Sequence, residues 1–202
     1  MQSIVVTYEP TYRGLPIQAR PGFGLRTEIL DVLHELFSQT MDRFQTFAAV
    51  MLDIRIPPDV FFSDSDRSIR RFISGFIEGL KQQGIGALYI WVRKHPDYSS
   101  DAHYVAVLLL DARYGQNPDL HLAQANALWA EEVEVAQSNG MIHYCGLEGA
   151  PRAAPVLIVR RDRPDFQGSC GRCFATLSRV AHVETSGGGS DDAAAFGSSL
   201  PS

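Results

Sequence analysis

Three apolar runs occupy the middle of the chain: FAAVMLDIRIPPD beginning at residue 47, ALYIWVR at 87–93, and HYVAVLLLD at 103–111. All three read as β-strands, the first stopped after Ile56 by two prolines that cannot continue a ladder. The second and third are joined by KHPDYSSD, a turn-rich connection of hairpin length. Such a link favours an antiparallel pair over a helical crossover. Strands 49–56, 87–93 and 103–110 are therefore expected side by side in one sheet.

Helical patterns surround these strands. In LRTEILDVLHELFSQTMDRFQT (25–46), Ile29, Val32, Leu33, Leu36, Phe37, Met41 and Phe44 form one apolar stripe. Ile69, Phe72, Ile73, Phe76, Ile77 and Leu80 form a second, preceded by N-cap candidates in Ser63–Ser68 and ended by Gly84 and Gly86. A third helix is predicted at 119–138 with Leu120, Ala123, Leu128 and Val135 on its buried side. A fourth is predicted at 169–183, with Ser169 as its cap. MIHYC (141–145) and PVLIVR (155–160) read as short strands around a GLEGAPRAA loop. The fold class that follows is α+β, an antiparallel sheet flanked by helices.

The 202 residues suit one domain, expected at 25–185. Residues 1–24 read as an irregular N-terminal arm. The segment ETSGGGSDDAAAFGSSLPS is low in complexity, and 186–202 are expected to be a disordered tail. No basic region followed by an apolar one opens the chain, no run is long enough to span a bilayer, and three cysteines are too few for a disulfide framework. These features predict a cytoplasmic protein with no membrane partner.

The net charge of −5 argues against a generic nucleic-acid binder, but the charge is unevenly placed. From Asp119 to Glu148 there are five acids and no Lys or Arg. From Arg152 to His182 six arginines face only Asp162 and Asp165. The cluster Arg160, Arg161 and Arg163 is thus a candidate nucleic-acid contact, with a solvated surface as its alternative.

Two metal readings arise. Histidines at i and i+2 on a strand share a face and grip one ion, but His103 is followed by Val105 where a second imidazole would stand. Separately, His143 and Cys145 with Cys170 and Cys173 outline a tetrahedral zinc site, against the alternative of buried thiols. Phosphate-loop, dinucleotide-binding, hydrolase-elbow and zincin motifs do not occur.

The order of segments resembles the filamentous-phage (inovirus) gene-II-type replication proteins, the YagK/YfjJ C-terminal family, over residues 14 to 185. Met51-Leu52-Asp53-Ile54-Arg55-Ile56-Pro57 is similar to the family's V-x-x-D-L-R-F-P strand, and Tyr89, Trp91 and Arg93 match its Y-x-W-x-R strand. The family's H-Y-H strand appears as His103-Tyr104-Val105. Its S-Y-x-A-K helix, where the tyrosine would be the nucleophile and the lysine its helper, appears as Ser178-Arg179-Val180-Ala181-His182.

The resemblance implies the H-x-H replication-initiator fold, in which a tyrosine attacks a DNA phosphodiester polarised by Mg or Mn. Valine cannot ligate metal and arginine carries no attacking oxygen. The expectation is therefore a rolling-circle initiator relative without nicking activity and without a cofactor, acting on single-stranded or phage DNA or on a host or phage protein. Two alternatives stand beside it. One is an active endonuclease recruiting Tyr104 or Tyr144; the other is a zinc-stabilised interaction module.

Overall fold

The structure, a computed structural model, describes residues 5–19, 24–56, 65–94, 103–136, 140–145, 156–183 and 196–200. In chain order the elements are β1 (Val6–Thr7), β2 (Thr11–Tyr12), β3 (Leu15–Pro16), β4 (Leu25–Arg26), α1 (Thr27–Arg43), β5 (Thr46–Arg55), α2 (Ser65–Gln82), β6 (Ala87–Lys94) and β7 (His103–Asp111). A 3-10 turn (Ala112–Gln116) leads to α3 (Pro118–Glu132), β8 (Ile142–Tyr144), β9 (Leu157–Arg160) and α4 (Phe166–Leu177). A second 3-10 turn (Ser178–Ala181) and β10 (Phe196–Ser198) complete the series.

The protein is α+β, built on a six-stranded sheet in which every pairing is antiparallel. The order β10-β6-β7-β5 is extended on the far side of β5 by β8 at its Arg55 end and β9 at its Thr46 end. The three apolar runs lie side by side as their sequence predicts. Their lack of polar alternation has a direct cause, because both faces of the sheet are covered. Phe47, Ala49, Met51, Leu88, Ile90, Val92, Val107 and Leu109 face α1 and α4. Ala48, Val50, Leu52, Ile54, Trp91, Tyr104, Ala106, Leu108 and Leu110 face α2 and α3.

The first two helices follow their predicted stripes. Ile29, Leu30, Leu33, Leu36 and Phe37 of α1 are buried, as are Ile69, Phe72, Ile73, Phe76, Ile77 and Leu80 of α2. Helix α2 ends in a left-handed turn at Gly84 (φ 75°), where the Gly84 and Ile85 amides donate back to the Lys81 and Leu80 carbonyls. That paired closure satisfies two terminal carbonyls, and glycine alone adopts this φ without steric cost.

The third helix is rotated from its prediction. Leu120 and Ala123 are exposed; His121, Ala125, Asn126, Trp129 and Ala130 are buried. Fixed polar partners set this rotation. The Asn126 side chain donates to the Ile142 carbonyl (3.1 Å) and accepts from the Ile142 amide (3.0 Å), and Trp129 Nε1 donates to the Arg55 carbonyl (2.8 Å). Counting apolar residues cannot register such bonds.

The fourth helix begins earlier and stops sooner than predicted. Asp165 occupies the N-cap position, and Ser169 lies one turn inside, donating its hydroxyl to Asp165 Oδ2 (2.8 Å). After Leu177 the backbone tightens to 3-10 geometry. There the Ser178 hydroxyl donates to the Ala175 carbonyl (2.7 Å) and accepts the Gln18 amide (3.0 Å), drawing the chain away from a straight helix.

Both ends correct the expectations. The N-terminal arm pairs β1 with β4 and turns β2 into β3 through Arg13 and Gly14, both at positive φ. Its Ile17 is buried and Tyr12 and Leu15 pack on the α1/α4 core. At the other end, Phe196–Ser198 is not disordered: it adds a strand to β6, with Phe196 and Leu200 packed on the same core. The expectations for the prolines after Ile56, the connection at 95–102, the loop at 146–154 and residues 184–195 lie outside the described residues. Among the described residues no helix is long and apolar enough to cross a membrane.

Replacing Asn126 with alanine would strand both backbone groups of Ile142 in a buried setting. Urea denaturation should report a loss of about 2–4 kcal/mol, since each orphaned buried group costs about 1–3 kcal/mol. A change within about 0.5 kcal/mol, the range typical of surface substitutions, would contradict this role.

Candidate functional site

Toward the Arg55 end of β5 the α1/α4 face of the sheet turns from apolar to polar. The registers Val92↔Val105, Val105↔Asp53 and Asp53↔His143 place these four side chains in one row across four strands. The next row is Lys94, His103 and Arg55, two residues further along each strand and on the same face. His103, Val105 and His143 thus reach the same surface, with Asp53 among them.

Asp53 is the chemical centre of this patch. Its Oδ2 accepts from Arg55 Nε at 3.0 Å. Its Oδ1 is buried and makes no hydrogen bond, with His103 Nε2 3.9 Å away, near enough for charge attraction but too far for a bond. A buried carboxylate oxygen without a donor is costly to hold and calls for an explanation, as do Gln18 Oε1 and Arg93 Nε, which also make no hydrogen bond. The sequence places Asp53 within the segment Met51–Pro57 without giving it a role. The available signal was a carboxylate standing inside an otherwise apolar strand run.

The second 3-10 turn closes over this end, packing on β6 and β7. Lys94 Nζ donates to the His182 carbonyl (2.8 Å), the His182 ring nitrogen Nε2 lies 2.7 Å from the Gln18 carbonyl, and Leu25 bridges to His182. Burial pushes the Cys145 thiol up to about 11; the Asp53 carboxylate adds to that rise and the Arg179 guanidinium opposes it. The Ser178–Ala181 turn and His182 thus lie at the same end of the sheet as His103, through Lys94, which pairs with His103.

Among the described residues no group of three or more His, Cys, Asp or Glu could hold an ion. Val105, on one side of Asp53, has no lone pair to offer, while the exposed His143 stands on the other side. The zinc alternative fails for a different reason. Cys170 and Cys173 are on the buried side of α4, with Cys170 Sγ 3.9 Å from Met41 Sδ, while His143 is exposed on β8. Burial raises the Cys170 and Cys173 thiols, so these behave as small core hydrophobes.

Neither displaced tyrosine reaches the patch. Tyr104 is fully buried on the opposite face, and its hydroxyl donates to Asp66 Oδ1 (3.2 Å), which also lies 3.4 Å from Arg93 Nη1. Tyr144 shares that face; its hydroxyl donates to the Pro118 carbonyl (2.7 Å) and contacts the Tyr114 hydroxyl at 3.0 Å. Burial raises its pKa, the reverse of an activated nucleophile. Tyr89, Trp91 and Arg93 also point to the α2 side, which makes that strand motif a packing device.

The arginine cluster lies elsewhere. Arg160, Arg161 and Arg163 are exposed in the turn between β9 and α4. Arg160 pairs with Thr46 in the sheet, nine positions along β5 from Arg55, or roughly 30 Å of strand. The Arg160 guanidinium lies 3.4 Å from Asp162 Oδ1, and Arg161 stands 5.8 Å from the Phe166 ring centre. The cluster is therefore a separate cationic surface at the far end of the sheet.

No family model and no curated protein matches this sequence.

The position of Cys145 between Asp53 and Arg179 makes a chemical prediction. A thiol raised from the ordinary 9.0 to about 11 should alkylate roughly a hundredfold more slowly than a free cysteine at pH 8, because only the thiolate attacks. Mass spectrometry of the native protein should find Cys145 unlabelled while urea-unfolded protein labels fully. Fast native labelling would contradict the burial and charge balance described for this patch.

Proposed function

We propose that this chain is a phage- or prophage-derived relative of rolling-circle replication initiators that does not nick DNA, and that it acts in the bacterial cytoplasm by binding nucleic acid or a protein partner. One observation carries the reading. His103 and Val105, two positions that resemble the chemical positions of the filamentous-phage replication proteins, flank Asp53, and the turn that carries Arg179 and leads to His182 packs on β6 and β7 at the same end of the sheet. Composition gives no reason for such convergence, whereas descent from a metal-dependent phosphodiester-cleaving site does.

The residues now at those positions remove the chemistry and keep the fold. Val105 packs against the α1/α4 core in place of a second imidazole. Arg179 offers no attacking oxygen, so no covalent DNA intermediate can form through it. The displaced-tyrosine alternative gains no support from Tyr104 or Tyr144, both engaged on the other face.

What remains useful for nucleic acid is positive charge in the β9–α4 turn. Arg160, Arg161 and Arg163 present exposed guanidiniums that suit phosphate oxygens, although Asp162 and Asp165 reduce the local field. Contacts of this kind bind the backbone without reading sequence.

Supercoiled plasmid and single-stranded DNA incubated with the protein and Mg²⁺ or Mn²⁺ should stay intact and carry no protein adduct. A metal-dependent nick or a tyrosine-linked adduct would overturn the proposal. If the arginine turn supplies the DNA contact, changing Arg160, Arg161 and Arg163 to alanine should make the log–log salt dependence of single-strand binding shallower by about 2. Unchanged affinity and slope would assign binding to another surface.

A further inference from the structure

The outer edge of β6 carries a short added strand from residues 196–200. Phe196, Gly197 and Ser198 pair antiparallel with Val92, Trp91 and Ile90. The Ser199 amide donates to the Tyr89 carbonyl (3.0 Å), and the Ser199 hydroxyl accepts the Tyr89 amide (3.1 Å). Backbone bonds of this type give affinity without sequence preference; side-chain fit supplies the selection.

Three features make this edge selective. A Cβ on Gly197 would fall 2.8 Å from Trp91 Nε1 and 2.9 Å from its Cε2 and Cζ2, so the buried indole admits only glycine opposite it. On the other face Phe196 and Leu200 pack against the α1/α4 core. Between them, the Ser199 hydroxyl substitutes for a backbone carbonyl at the Tyr89 amide. The geometry points to a β-strand-addition site for an extended peptide of pattern Phe-Gly-Ser-Ser-Leu, occupied by this chain's own C-terminal segment in cis.

The arrangement is consistent with the chain's path. His182 is held by Lys94 at the end of β6, and Phe196 pairs two residues along the same strand at Val92. The two ends of the intervening stretch are thus close, and a segment closing on its own β6 needs no second copy. A tethered strand also outcompetes the same peptide free in dilute solution. The edge strand is thereby covered, which guards β6 against pairing with other chains.

The test uses the full chain and its Gly197→Val variant, with Phe196→Asp as a second variant that releases the segment from the opposite face. A labelled peptide spanning residues 194–202 is titrated into each, and exchange of the Tyr89 amide is followed. The peptide should bind both variants about tenfold or more tighter than it binds the wild type, since the tethered segment competes only there. The Tyr89 amide should lose protection in both variants, and a peptide carrying Gly197→Val should bind none of the three proteins. Unchanged Tyr89 protection in both variants, or no peptide binding to variants that keep the wild-type circular dichroism, would overturn the site. Wild-type dimers that disappear in Gly197→Val would overturn occupation in cis.

Discussion

The register between β5 and β7 is the constraint on which everything else in this structure depends. It runs unbroken from Phe47↔Asp111 to Arg55↔His103 and joins two strands that are buried on both faces. Because strand side chains alternate, a slip of one residue would send every side chain to the other face. Were β7 the strand to slip, Val105 and His103 would enter the apolar space beneath α2, parted from Asp53, and Tyr104 would turn toward α1. The pairing that builds the core is also what places His103 beside Asp53.

Both faces pay for their polar end differently. On the α2 side the Tyr104 hydroxyl and Arg93 meet Asp66 in the first turn of α2, so that carboxylate has defined partners. On the α1/α4 side Asp53 has Arg55 on one oxygen and no hydrogen bond on the other. The first arrangement reads as structural support. The second leaves one carboxylate oxygen facing His103 without a hydrogen bond, as the first leaves Arg93 Nε.

The strands and the first two helices were legible because their cores are built from long apolar runs and clean helical stripes, such as Ile69 to Leu80. The rotation of α3 was not, since Asn126 and Trp129 are placed by hydrogen bonds to Ile142 and Arg55, partners distant in sequence. The break after Leu177 was hidden for the same reason: the Ser178 hydroxyl answers to Gln18. The strand at Phe196 escaped because its glycine and serines look like linker, and only the Trp91 ring and the Tyr89 amide give them a role. For the site, the motif positions could be named from the resemblance to phage replication proteins, while their meeting in space could not. The expectation that Tyr104 serves as a displaced nucleophile overlooks strand alternation, which puts neighbouring residues 103 and 104 on opposite faces.

The most direct test of this account is a divalent-ion titration of the wild type, of Val105→His, and of Val105→His combined with His103→Ala, followed by calorimetry with Mn²⁺. If the Asp53 end of the sheet descends from an imidazole-pair metal site, the single variant gains an ion that the wild type does not hold, and the double variant loses it again. Equal binding by wild type and Val105→His, or a gain that survives removal of His103, would contradict the account.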